Sequence, residues 1–169
     1  IFSADGEQFE PQKQNCGPVA GAILENFPKE VEAATSIAYF LGGPLYNGSV
    51  RFDDEILLAD SLFFRTMGIE VLSGNPENEL VQPDVIFLSD RLAQKIFGGE
   101  NPIGKVLSYN KEITFTVKGT YAALPENTTM RPEGVVSMPT AWSRSWGNYS
   151  WRGGDSYYEY IRFRPGADK

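Results

Sequence analysis

Histidine is absent from the 169 residues and a single cysteine, Cys16, is present. Without imidazole there is no Ser-His-Asp or Cys-His nucleophile, and no zinc or haem site that needs a His ligand. One thiol permits neither an internal disulfide nor a CxxC site. Cys16 reads as a passive free cysteine near a helix start, with Lys13 the only nearby base. Carboxylates remain as the candidate acid–base groups. Glu25, Asp60, Asp84, Asp90 and Glu126 could each serve in a glycosidase-type pair, but nothing in their spacing pairs any two of them. The densest acidic run, Asp53-Asp54-Glu55, lacks the alternating ligands and the glycine of a calcium loop and reads as a solvated hairpin turn. Gly98-Gly99 and Gly104-Lys105 miss the spacing of a phosphate loop and read as a helix stop and a turn. Asn47-Gly48-Ser49, Asn127-Thr128-Thr129 and Asn148-Tyr149-Ser150 fit the short N-glycosylation pattern and mark exposed loops.

The most distinctive chemistry is aromatic. Trp142, Trp146, Tyr149, Trp151, Tyr157, Tyr158 and Tyr160 lie close together in sequence. Large flat rings suit a carbohydrate or peptide groove, and they equally suit a core or the centre of a protein interface. Trp142, Trp146 and Trp151 are the partner-contact candidates. A binding groove requires all three to line one concavity.

The elements that must position these groups follow from hydrophobic period and turn residues. Residues 1–13 read as a short strand and a loop. Val19, Ala20, Ile23, Leu24 and Phe27 mark one face of a helix ending before Pro28. Val31–Leu41 reads as a strand broken by Gly42-Gly43-Pro44. Residues 49–52 and 55–59 read as two strands around the Asp53-Asp54 turn. Asp60-Ser61 caps a short helix through Met67 that Gly68 ends. Residues 69–74 form a short strand, and Pro76–Pro83 a linker loop. Asp84–Leu88 is a continuous apolar run suited to a buried strand. Ser89 caps a helix whose inner face is Leu92, Ala93, Ile96 and Phe97. Residues 105–109 and 113–121 make a hairpin, and Ile113, Phe115 and Val117 share a face. A strand over 134–138, a short helix within 139–146 and a strand over 156–164 complete the chain. Interleaved strands and helices define an α+β class with mixed sheets.

The length allows one domain or two small subdomains, and should bury roughly 70% of the unfolded surface. A composition 41% hydrophobic and 13% aromatic is too apolar for disorder. The net charge of −7 and the lack of any basic cluster argue against nucleic acid and anionic lipid as partners. No stretch approaches the roughly 20 apolar residues of a membrane span. The chain opens on Ile1-Phe2 and stops in a turn-like Arg164-Pro165-Gly166, so it reads as a piece of a longer protein.

A succession of segments carries a resemblance. Phe27-Pro28-Lys29-Glu30-Val31-Glu32-Ala33-Ala34 is followed by the stretch from Ala59 to Gly74, then by the stretch from Val85 to Gly98. Asn101-Pro102-Ile103-Gly104-Lys105-Val106-Leu107, Thr116-Val117-Lys118-Gly119-Thr120-Tyr121 and Leu124-Pro125-Glu126-Asn127-Thr128 come next. In this order, from about Gly17 to Asp168, the chain resembles the periplasmic core domain of MacB/FtsX-type ABC transporter permeases. The resemblance implies a Porter-like βαβ part, residues 1–60 with 156–169, its C-terminal helix missing. A mixed α/β Sabre-like part, residues 61–155, is inserted in it. It implies a non-enzymatic extracytoplasmic domain with no cofactor, no metal and no catalytic residue, on the periplasmic side of the bacterial inner membrane. The implied partners are the transmembrane helices of a dimeric parent permease, a cytoplasmic ATP-binding domain or subunit, and a periplasmic protein. The implied work is mechanical: ATP hydrolysis moves the domain against a substrate or partner in export, lipoprotein handling or envelope signalling. Movement between two arrangements needs a hinge, and the loop Asn75–Asp84 with its two prolines is a candidate.

Overall fold

Ile56-Leu57-Leu58-Ala59 and Val85-Ile86-Phe87-Leu88 have no polar alternate position, so neither face of either strand can meet water. In the computed structural model, which describes residues 14–152 and 156–167, both become interior strands of one sheet. The strand and loop expected over residues 1–13 lie outside the described residues.

The elements run α1 (Val19–Asn26), β1 (Val31–Ala38), β2 (Leu45–Asn47), β3 (Val50–Phe52), β4 (Ile56–Ala59), α2 (Phe63–Met67) and β5 (Val71–Ser73). They continue with α3 (Pro76–Glu79), β6 (Val85–Ser89), α4 (Asp90–Phe97), β7 (Val106–Tyr109), β8 (Ile113–Tyr121), β9 (Gly134–Ser137), α5 (Met138–Ser143) and β10 (Tyr158–Phe163). The sheet order is β10-β1-β4-β9-β6-β8-β7-β2-β3, with β5 against the end of β8. Two pairs are parallel, β4 with β9 and β6 with β8; the others are antiparallel. The sheet is mixed, as the interleaved elements require. It passes from β10, β1 and β4 into strands of the middle of the chain at β9, and returns to the first 60 residues at its far end, where β2 pairs with β7.

Helices cover both faces. Phe63 and Phe64 of α2 pack with Phe87, Tyr121 and Leu57 on one face. Leu92, Ile96 and Phe97 of α4 and Met138 and Ala141 of α5 pack with Leu58, Leu88, Phe115 and Tyr157 on the other. The Ser89 cap forms as its spacing predicts: its hydroxyl accepts from the Leu92 amide at 2.9 Å. The hairpin turn between β7 and β8 places Asn110 and Lys111 at φ 51° and 62°, the left-handed pair whose twist matches a two-stranded ribbon.

Three expectations are corrected. Asp53-Asp54 is not a hairpin turn, because β3 and β4 do not pair. β3 pairs instead with β2, a strand the Gly-Gly-Pro break concealed, while β4 lies between β1 and β9. Asp53 meets Arg51 at 2.6 Å and Asp54 meets Lys95 at 2.7 Å, so the acidic run is held by surface ion pairs. Pro76–Pro83 is not a plain linker: Asn75 caps the single turn α3, and Leu80 beyond it is buried in the core. That anchor, with Lys118 beside Glu79 at 3.5 Å, removes the freedom a hinge at Asn75–Asp84 needs.

Close packing is tightest at Gly119 in β8. A Cβ there would sit 2.0 Å from the Phe87 ring and 2.5 Å from the Ser73 carbonyl oxygen. Gly119→Ala is therefore expected to lower stability in urea unfolding by about 2–3 kcal/mol. Gly99→Ala, with open space around it, should change it by under about 0.5 kcal/mol. Equal midpoints for the two variants would contradict the packing described.

Candidate functional site

The register of β1 on β10 sets Ser36 opposite Glu159. Both side chains leave the sheet on the face that carries α1. Ser36 is 5% exposed and serves two carboxylates at once. Its amide donates to Asp60 Oδ2 at 2.7 Å, and its hydroxyl donates to Glu159 Oε2 at 2.7 Å. Asp60, immediately after β4, also accepts from the Thr35 hydroxyl at 2.8 Å and the Leu62 amide at 2.9 Å. It thereby ties β1 to the entry of α2, which explains why Asp60-Ser61 reads as a cap. Glu159 Oε1 is buried with no partner in full hydrogen-bond geometry among the described residues, and the Ala20 backbone amide faces the carboxylate.

Aromatic rings close this polar pair from outside. The Trp142 and Tyr149 ring centroids lie 4.4 Å apart at 49°. Tyr149 crosses the start of α1 against Gly17, where a Cβ would fall 2.6 Å from its ring; only glycine admits that approach. Beneath lies a cavity of about 120 Å³ walled by Ser36, Asp60, Met138, Trp142, Tyr149 and Tyr157. The Trp142 indole nitrogen and the Tyr157 hydroxyl are buried facing each other, and the hydroxyl lies at Gly147, where a Cβ would fall 2.6 Å from it.

Burial dominates the electrostatics. It pushes the Glu159 carboxyl up to about 7, aided by the neighbouring charge of Asp60 and opposed by the Ser36 hydrogen bond. It also raises Asp60, against the three hydrogen bonds that favour its ionised form. Tyr149 and Tyr157 are raised, again mainly by burial. Among the described residues no Lys or Arg forms an ion pair with Asp60 or Glu159.

The three tryptophans do not share a hollow. Trp142 walls this cavity. Trp146 packs on the core near Tyr109, at 6.5 Å between centroids, in a separate hollow with Phe40 and Ile113. Trp151 is 64% exposed and lines neither. The five carboxylate candidates are equally scattered. Asp84 accepts from Arg144 at 2.9 Å, Asp90 accepts from the Ala123 amide at 3.0 Å, and Glu25 and Glu126 are exposed. Only Asp60 faces the cavity, and its companion Glu159 was not among the five. Its signal was a lone charge inside Tyr157-Tyr158-Glu159-Tyr160. Cys16 is partly buried just before α1. Among the described residues no three His, Cys, Asp or Glu groups converge as a metal site would need.

With this geometry in place, comparison gives a consistent picture. Residues 8–169 match the family described as MacB-like periplasmic core domain. A solved domain of a protein described as a permease, from Porphyromonas gingivalis, is 27% identical with a TM-score of 0.76, covering 93% of this chain and 72% of that one. The periplasmic region of MacB from Actinobacillus actinomycetemcomitans is 16% identical with a TM-score of 0.70, covering 99% and 73%. The extracellular domain of YknZ, a noncanonic ABC-type transporter from Gram-positive bacteria, is 13% identical with a TM-score of 0.67, covering 98% and 81%. The last two share the fold. No curated protein matches.

The raised Glu159 has a thermodynamic consequence. Its folded-state value lies above the ordinary carboxylate value, so the folded chain holds more protons than the unfolded chain between about 4.5 and 7. Stability is therefore expected to fall as pH rises through that window and to level off above it. Glu159 is partly open to water, so the loss is discounted to about 1–2 kcal/mol. Glu159→Gln should flatten the slope and stabilise the fold at pH 8 in urea titrations. A stability that rises steadily from pH 5 to 8, unchanged by the substitution, would contradict the assignment.

Proposed function

The chain belongs to the MacB-like periplasmic core domain family, and from that premise we propose that it is a non-enzymatic coupling domain. As a family member it is an extracytoplasmic domain of a transporter permease, attached to a parent with membrane helices. Among the described residues no helix is long and apolar enough to cross a membrane. In the proposed reading, ATP hydrolysis in a cytoplasmic domain or subunit moves the membrane helices of a dimeric parent. The domain carries that movement to a periplasmic substrate or partner at the inner membrane.

The observation that supports this reading is the continuity of the sheet. The strand next to one edge, β1, and the far strands β2 and β3 belong to one hydrogen-bonded body joined through β4, β9, β6, β8 and β7. A body joined in this way transmits displacement without absorbing it. The division into a Porter-like part, residues 1–60 with 156–169, and a Sabre-like part, residues 61–155, belongs to the proposal. Its boundary would cross the sheet twice, where β4 meets β9 and where β7 meets β2, because β2 and β3 pair on the far side of the inserted strands. Trp151 supports the partner-contact role by its exposure, and Trp146 by its partly open hollow; Trp142 is turned to the cavity beneath α1.

Spin labels in the full-length parent test the reading, with Cys16→Ser as background. Labels at Val50 and Val81, both exposed, should keep their mutual distance whether or not ATP is bound. The Val81–Val81 distance between protomers should shift on ATP binding. No shift between protomers would refute mechanical coupling. Trp151→Ser should leave stability within about 0.5 kcal/mol and leave ATP hydrolysis intact, while reducing delivery of the transported substrate.

A further inference from the structure

The cavity beneath α1 combines features that the coupling role does not use. Two carboxylates share Ser36 and have no Lys or Arg ion-pair partner among the described residues. Glu159 stands behind Ser36, outside the cavity wall and faced by the Ala20 amide, and the Tyr157 hydroxyl faces the Trp142 indole N–H, so Asp60 is the carboxylate that the cavity itself presents. The Trp142 and Tyr149 rings offer the electron-rich faces that attract a cation. Ala20, Leu24 and Met138 supply apolar wall for a short hydrocarbon stem. A volume of about 120 Å³ is well below that of a drug-sized pocket.

We propose that this cavity binds a primary alkylammonium group, carried by a small free amine or by the end of a lysine side chain. The ammonium lies against Asp60 and the aromatic pair, in the field of Glu159 behind Ser36, and the stem lies on Leu24 and Met138. A bare divalent cation fits less well. The Asp60 oxygens already take three hydrogen bonds, and no third carboxylate converges with them among the described residues. The indole nitrogen of Trp142 is a donor only and faces the Tyr157 hydroxyl, so Trp142 contributes its ring. The titratable groups around the site are Asp60 beside Glu159, Tyr149 and Tyr157 near Glu159, and Glu25 of α1 near Tyr149. None of them is a base that would oppose a cation.

The test titrates n-butylammonium chloride into the 169-residue chain at pH 8, read by tryptophan fluorescence and calorimetry, with n-butanol as the neutral isostere. Saturable binding with Kd on the order of 1 mM is expected for an ion of five heavy atoms, and none for the alcohol. Affinity should fall about threefold from pH 8 to pH 6, as Glu159 takes up its proton and its charge no longer favours the cation. Glu159→Gln should bind about fivefold more weakly at pH 8, with its fold verified by circular dichroism. Tyr149→Ala, at a half-exposed ring, provides a second variant expected to weaken binding without touching the carboxylates. Nα-acetyl-lysine methylamide distinguishes the sources. Competition with n-butylammonium would support a lysine end, and binding of the small amine alone would support a free amine. Equal binding of the alcohol, no saturation, or unchanged affinity in both variants would overturn the site. None of those results bears on coupling, which the inter-protomer distances decide separately.

Discussion

The parallel pairing of β4 with β9 is the constraint on which the rest depends. Ile56 meets Gly134 and Ala59 meets Ser137, and all eight residues of the two strands are buried. Parallel neighbours cannot be joined by a tight turn, so the whole segment between them must leave the sheet and return. That excursion carries α2, β5, α3, β6, α4, β7 and β8. It returns to the sheet only because β6 pairs with β9 on one side and β8 on the other. Gly134 suits the junction: a Cβ there would fall 2.7 Å from the Ile56 side chain.

From this pairing the site follows. Once β4 is fixed beside β1, Asp60 at its end reaches Thr35 and Ser36, and β10 on the other side of β1 brings Glu159 to the same serine. Two acids are thus drawn together by hydrogen bonds to one strand rather than by attraction for each other. Removing charge from water is costly, and like charges in contact add to it. Burial of Glu159 therefore works against stability at neutral pH, a concession more usual at binding sites than in cores chosen for stability alone. Other buried polar groups are treated differently. The Ser89 hydroxyl both caps α4 and donates to Glu133, which also meets Arg91, and the Tyr121 hydroxyl donates to the Pro132 carbonyl at 2.7 Å.

The relatives show how little of the fold depends on particular side chains. At 13% and 16% identity the fold persists, because a doubly covered sheet asks for apolar residues of suitable size in the middle strands rather than specific ones. Exposed residues such as Trp151 are under no such demand, so they can change while the body stays constant.

The residues alone determined the local elements and the class of fold. The period of α1 and α4, the Ser89 cap, the unbroken apolar runs of β4 and β6 and the alternation of β8 are consequences of side-chain chemistry acting over a few residues. The ordered motifs between Phe27 and Thr128 were enough to point to the family. What the chain could not reveal was adjacency. β2 is too short, and too close to the Gly42-Gly43-Pro44 break, to signal itself. Asp53-Asp54 resembles a turn until β3 and β4 are seen to have different neighbours. Leu80 looks like a loop residue until it meets the core. Glu159 was legible only as a charge among tyrosines, and its partner Asp60 only as a cap. Register and strand order are settled by long-range burial, where the free energy depends on which faces are covered together, and that quantity does not exist until the sheet is assembled.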